Sequence, residues 1–206
     1  MPWVVWIMYR LVKIVLWLPS RLYRSEIVGK EHLPKSGGYI LAANHLGWLD
    51  TILLPINLRP QLSFAAKAEL YKHPGLKQLL ELTGTISVTR KDATLSQSRK
   101  FRQEAEAAMK QGRVLAIFPE GTRSRSGHLL AFEPGVGVIA VQTKRLVVPV
   151  GISYSKGVLW PPARPKIRIV IGEPLDSSSY KSKELTVELR RRIAALSGAQ
   201  LAEDVE

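Results

Sequence analysis

The chain has 206 residues, 46% of them hydrophobic and 23% charged, with a formal net charge of +13. That length supports one domain with a real core, the composition is globular rather than disordered, and the charge seeks polyanions: nucleic acid, anionic lipid or phosphorylated substrates. Cysteine is absent, which excludes a disulfide framework, a thiolate zinc site and a cysteine nucleophile.

Residues 1–24 form a segment of their own, ahead of a domain over 25–206. Trp3 to Leu18 is apolar except for Tyr9, Arg10 and Lys13. It is shorter than the ~20 apolar residues of a spanning helix, and its internal charges do not suit a signal peptide. Read as a helix, it places Trp3, Trp6, Arg10, Lys13 and Trp17 on one face. Tryptophan beside basic residues suits the headgroup layer, with Arg21 and Arg24 adding charge beyond Pro19. The segment therefore reads as an amphipathic helix at an anionic membrane interface. Packing on the domain core is the competing reading.

The domain alternates strand-like and helix-like runs. Ile27 to Gly29 is a short strand, and His32 sits in the turn-rich loop after it as a solvated side chain. Tyr39 to Ala43 is an unbroken apolar run, suited to a strand covered on both faces. A helix follows over Thr51 to Leu58, with Asp50 placed to cap it. Leu62 to Ala66 is a strand, Pro74 to Leu82 a helix ended by Gly84, and Thr85 to Val88 a strand. Asp92 to Lys110 is a long amphipathic helix with Leu95, Phe101, Ala105, Ala108 and Met109 turned inward. Then come a strand at Val114 to Phe118, a helix at Val136 to Lys144, strands at Leu146 to Val150 and Lys166 to Ile171, and a last helix from Ser182 to Leu196 stopped by Gly198. The predicted fold is α/β, a mostly parallel or mixed central sheet flanked by helices. Arg190-Arg191-Arg192 reads as the wet face of the last helix rather than a nucleic-acid contact.

Active residues of such sheets collect at the carboxyl ends of strands. Three strand ends carry chemistry here: Asn44-His45-Leu46-Gly47-Trp48-Leu49-Asp50, then Arg90, then Pro119-Glu120-Gly121-Thr122-Arg123-Ser124. A histidine with a carboxylate five residues on reads either as a base with an orienting partner or as a surface histidine beside a helix-capping aspartate, and the spacing alone does not choose between them. Arginine grips phosphate with a bidentate fork, and glycine lets backbone N–H groups approach a ligand. There is no Gly-x-Ser-x-Gly elbow, no phosphate-binding Walker loop and no dinucleotide fingerprint. The histidines at 32, 45, 73 and 128 lack zinc-ligand spacing, so no metal is expected.

In order along the chain, Asn44-His45 with Asp50, Gly84-x-Ile86 with Arg90, Phe118 to Ser124, and Val148-Pro149-Val150-Gly151 resemble the four motifs of the glycerolipid acyltransferases, of the bacterial 1-acylglycerol-3-phosphate type. Lys67-Ala68-Glu69-Leu70 resembles a further element of that family. The resemblance covers roughly residues 26–175. Phe132-Glu133-Pro134-Gly135 departs from it, because a lysine is usual where Glu133 stands.

The resemblance implies transfer of a fatty acyl group from a thioester, acyl-CoA or acyl carrier protein, to the hydroxyl of lysophosphatidic acid or a related lysolipid, giving phosphatidic acid for phospholipid synthesis. No cofactor is implied. His45 would take the hydroxyl proton while Asp50 orients its ring. Arg90 and Arg123 would hold the acceptor phosphate, with Lys67 as a third cation and Gly121 and Thr122 in the same loop. Glu120 would order Arg123 or a glycerol hydroxyl, and backbone N–H groups near Gly121 or Gly151 would stabilise the oxyanion. The expected location is the cytoplasmic face of the cell membrane, on an anionic lipid surface. Acylation of another lysophospholipid, of glycerol 3-phosphate or of a polar lipid is the nearest rival, and a non-catalytic lipid-binding protein is a rival of another class. Nucleic acid is not an expected partner.

Overall fold

The computed structural model describes residues 2–20, 24–58, 61–89, 94–155 and 166–202. Its centre is an eight-stranded mixed sheet. The strands are β1 (Arg24–Val28), β2 (Ile40–Ala43), β3 (Leu62–Lys67), β4 (Ile86–Val88), β5 (Val114–Ile117), β6 (Leu146–Tyr154), β7 (Lys166–Ile171) and β8 (Leu175–Asp176). The helices are α1 (Pro2–Ser20), α2 (Asp50–Asn57), α3 (Pro74–Leu82), α4 (Leu95–Lys110), α5 (Gly135–Thr143) and α6 (Ser182–Ser197).

The strand order is β1-β7-β6-β2-β5-β3-β4, with β8 also on β6. The five strands β6, β2, β5, β3 and β4 run parallel. On the far side of β6, β7 runs antiparallel and β1 pairs parallel with β7. Strands β7 and β8 lie in line along one edge of β6, as Val150↔Ile171 and Val147↔Leu175 pair on the same side. Pro174 has no N–H to offer between them, and Gly172 N–H bridges the gap by donating to Pro149 C=O at 2.9 Å.

Strands β2 and β5, at the middle of the sheet, are apolar throughout because both their faces are covered. Every residue of β2 is buried. Leu41 and Ala43 join Leu53, Leu54 and Leu58 of the α2 region on one face. Ile40 and Ala42 join Ala105 and Met109 of α4, Ile139 of α5 and Leu189 of α6 on the other. That split is the two-residue period of a strand read directly.

Two expectations fail here. Leu95 is 80% exposed. It is the first residue of α4, after the capping box of Thr94 with Gln97, and the helix reaches the sheet only at Phe101 and beyond. His32 is half-buried, not solvated: its Nδ1 donates to Ile171 C=O at 2.8 Å.

The amino-terminal helix divides its face differently from the sequence reading. Trp3, Trp6 and Trp17 are exposed at 67%, 49% and 50%, and Arg10 lies over the Trp6 ring. Lys13 instead turns inward with Tyr9. Its ammonium donates to Leu58 C=O at 2.9 Å, and Tyr9 hydroxyl accepts from Leu62 N–H at 3.1 Å. The two residues are four apart and therefore share a face. Ile7, Leu11, Ile14 and Val15 remain exposed. Among the described residues no helix is long and apolar enough to cross a membrane.

Candidate active site

The site begins where β2 ends. Asn44 is buried and sits opposite Ile152 of β6. Its side-chain amide donates to Ile152 C=O at 2.9 Å and its side-chain oxygen accepts from Ile152 N–H at 2.7 Å. The side chain thus makes the two ladder bonds that a backbone would make, and the main chain is free to turn away from the sheet at His45.

The turn delivers a histidine and its carboxylate partner. His45 Nδ1 donates to Asp50 Oδ2 at 2.7 Å. Asp50 can only accept, so this bond puts the ring proton on Nδ1 and leaves the Nε2 lone pair to receive another. The same carboxylate oxygen accepts from Leu46 N–H at 2.7 Å and Gly47 N–H at 2.8 Å. Asp50 therefore caps the loop that precedes it, not the helix it begins: the cap position of α2 falls on Leu49, and Asp50's bonds run backwards along the chain. Tyr154 hydroxyl donates to the other oxygen, Oδ1. Asp50 side chain is fully buried while His45 keeps 15% exposure, so of the pair only the imidazole faces solvent.

The loop after β5 holds His45 from the other side. Glu120 Oε1 accepts from His45 N–H at 2.7 Å, and Ser124 N–H donates to His45 C=O at 2.8 Å. Glu120 Oε2 accepts from Leu130 N–H at 2.9 Å. Glu120 is thus a buried brace between two loops and, among the described residues, makes no ion pair with Arg123. Burial pushes its carboxyl above the usual range, against the backbone N–H bonds from Leu130 and His45. Phe118 stacks on the imidazole with ring centroids 4.1 Å apart, and Phe64 of β3 stacks on Phe118 at 5.8 Å.

Of the two glycines named for the oxyanion, Gly121 has its own N–H engaged and Gly151 has a packing role. Gly121, at φ +65°, donates its N–H to Phe118 C=O at 2.9 Å and so closes a turn. Gly151 lies within β6, where a Cβ would come 2.4 Å from Leu196 backbone carbon, so its lack of a side chain lets α6 approach the sheet. Thr122 and Arg123 are exposed at the tip of the β5 loop, and Lys67 is exposed at the end of β3. Because the order is β2-β5-β3, Lys67 stands two strands, ~10 Å, from the strand that carries His45. Arg90 lies outside the described residues; β4, which precedes it, ends on the same edge of the sheet.

Sequence reasoning missed Tyr154. The available signal was the alternation Val150, Ile152, Tyr154, which continues β6 past the motif that seemed to end it.

A buried carboxylate fixing a half-open imidazole at the carboxyl edge of a parallel sheet is the arrangement that a general base in an α/β enzyme would need. Comparison with known proteins specifies the class. Residues 24–153 match the family model described as Acyltransferase. The chain is 29% identical over 182 residues to a 1-acyl-sn-glycerol-3-phosphate acyltransferase of Bacillus subtilis, covering 83% of this chain and 87% of that protein. It is 30% identical over 139 residues to the enzyme of the same name from Borreliella burgdorferi, covering 68% of this chain and 54% of that longer protein. The crystal structure of the 1-acyl-sn-glycerophosphate (LPA) acyltransferase PlsC from Thermotoga maritima superposes with a TM-score of 0.70 at 27% identity, over 96% of this chain and 78% of that one. The chain belongs to the acyltransferase family, and it is an enzyme of acyl transfer.

Proposed function

We propose that the protein transfers a fatty acyl group from acyl-CoA or acyl carrier protein to the free hydroxyl of 1-acylglycerol 3-phosphate, forming phosphatidic acid. The observation that carries this reading is the buried Asp50 on His45 Nδ1, with Nε2 left to face an incoming hydroxyl. A thioester is already activated, so the enzyme needs no nucleophile of its own, only a base for an alcohol that is otherwise a poor attacker. His45 takes the hydroxyl proton as the oxygen attacks the thioester carbonyl, then returns it to the leaving thiolate. Asp50 holds the ring and stabilises the imidazolium between those steps. Arg123 and Thr122, exposed in the loop that clamps His45, serve the acceptor phosphate, with Lys67 and Arg90 contributing charge from the neighbouring strand ends. The names of the relatives support the acceptor. The exposed tryptophans of α1 beside Arg10 support a membrane-bound enzyme at the cytoplasmic face, where lysolipid and product both reside.

The test is to incubate the protein in phospholipid vesicles with labelled acyl-CoA or acyl carrier protein and a panel of lysolipids. Phosphatidic acid is the expected product. Preferred acylation of an acceptor without a phosphomonoester would overturn the acceptor assignment. In the same assay His45→Ala is expected to lose ~10²–10⁴-fold in kcat while keeping its thermal transition; near-normal turnover in a folded variant would remove His45 as the base.

A further inference from the structure

We propose that Tyr154 is a positioning residue of the base: its hydroxyl holds Oδ1 of Asp50 and so fixes the carboxylate that orients His45. The inference rests on the acyl-transfer reading of the His45–Asp50 pair.

The two oxygens of Asp50 are used unequally. Oδ2 gathers three donors, His45 Nδ1 and the N–H groups of Leu46 and Gly47, all from its own loop. Among the described residues, Oδ1 has one donor, the Tyr154 hydroxyl. A buried carboxylate oxygen without a donor is costly. With the hydroxyl in place, both ends of the carboxylate are pinned and it cannot rotate about its own bond.

Tyr154 reaches the site from a different element than the dyad. Strand β6 pairs with β2 up to Val150↔Ala43 and then continues to Tyr154. The added length is held from the other side by β7, with Tyr154 opposite Ile167. Val150, Ile152 and Tyr154 alternate onto one face. The first two are in the core, and the third emerges beside Asp50. The ring lies against Gly47, where a Cβ would meet Tyr154 Cε2 at 3.6 Å, an ordinary contact distance. The loop thus holds Oδ2 and the sheet, through Tyr154, holds Oδ1.

The hydroxyl also shares the charge of Asp50 with the imidazole. Among the described residues, the charged groups on the loops and strand ends beside His45 are Glu120 on its backbone from the β5 loop, exposed Arg123 of that loop, and Lys67 at the end of β3. Phe118, on the ring face, is uncharged. Removing the phenolic donor leaves more of the Asp50 charge to the ring, which favours the protonated imidazole, the form that cannot act as a base.

Tyr154→Phe tests this, because it deletes only the hydroxyl. The expected result is a fall of about tenfold in kcat with both KM values within about twofold. The acidic limb of the pH–kcat/KM profile moves to higher pH. In an Asp50→Asn background the same change adds little, since the partner is already altered. Histidine-specific nitrogen NMR reads the same shift in the ring titration of His45 without any substrate. A Tyr154→Phe enzyme with unchanged kcat and an unmoved His45 titration overturns the proposal, as does an equal loss in the Asp50→Asn background. A moved titration in a protein that fails to acylate lysophosphatidic acid upholds Tyr154 and instead refutes the acceptor.

Discussion

Asn44 does with a side chain what β2 does with its backbone. Both of its bonds to Ile152 are buried, so Asn44→Ala leaves an N–H and a C=O unpaired in the sheet. The expected cost is ~3 kcal/mol, read from the midpoint and slope of urea unfolding. Asn44→Asp should be no better, because a carboxylate oxygen would face the Ile152 carbonyl. This role was invisible in the sequence: an asparagine before a histidine reads as a turn residue, and only the presence of β6 alongside makes it a rung. His45 and Asp50 were legible because their spacing across a tight turn is local. Glu120 was legible as a site residue but not in its task. A carboxylate beside an arginine suggests an ion pair, whereas burial committed both oxygens to backbone donors on either side of it.

At the scale of elements, helix and strand positions followed from local signals. Proline at its start and glycine after its end bound α3 at Pro74–Leu82 as expected. What failed were features made by distant partners. The last residues of β6 are ordered by β7, and β8 is a two-residue strand without a pattern of its own. The segment after Gly198 is another such feature. Leu129 N–H donates to Gln200 C=O at 2.8 Å, and Ala202 N–H donates to Leu129 C=O at 2.9 Å. Leu130 N–H, the next along, goes to Glu120, and Glu120 holds His45. A short chain of hydrogen bonds thus joins the carboxyl-terminal segment to the base. Removing residues 199–206 should lower kcat more than it lowers the unfolding temperature, and a truncated enzyme with full kcat would break that link.

Across the whole molecule, the +13 charge and the exposed tryptophans of α1 describe a surface suited to anionic lipid. A protein lacking residues 1–24 should stay in the supernatant when vesicles of anionic phospholipid are sedimented. The intact chain should pellet with them, less completely as salt rises; full pelleting of the truncated form would place the lipid contact elsewhere. In the arginine run of α6, Arg191 and Arg192 share the single carboxylate of Glu188, which offsets only part of its charge. The aromatic rings at the site have a broader consequence. Phe64, Phe118 and His45 stack in a row carried by β3, β5 and β2, three neighbours in the sheet, and β6 beside them brings Tyr154. Strand spacing, about 4.8 Å, supplies the pitch of that row. The His45–Asp50 half of the site is consequently a property of sheet register and of buried Ser124 on His45, while the exposed residues Thr122, Arg123 and Arg125 to His128 are mounted upon it. Acceptor preference should then be exchangeable by grafting those exposed residues from a relative with Ser124 kept in place, so that His45 is left untouched. Slipping β5 by one residue would instead carry Phe118 off the imidazole and silence every graft alike.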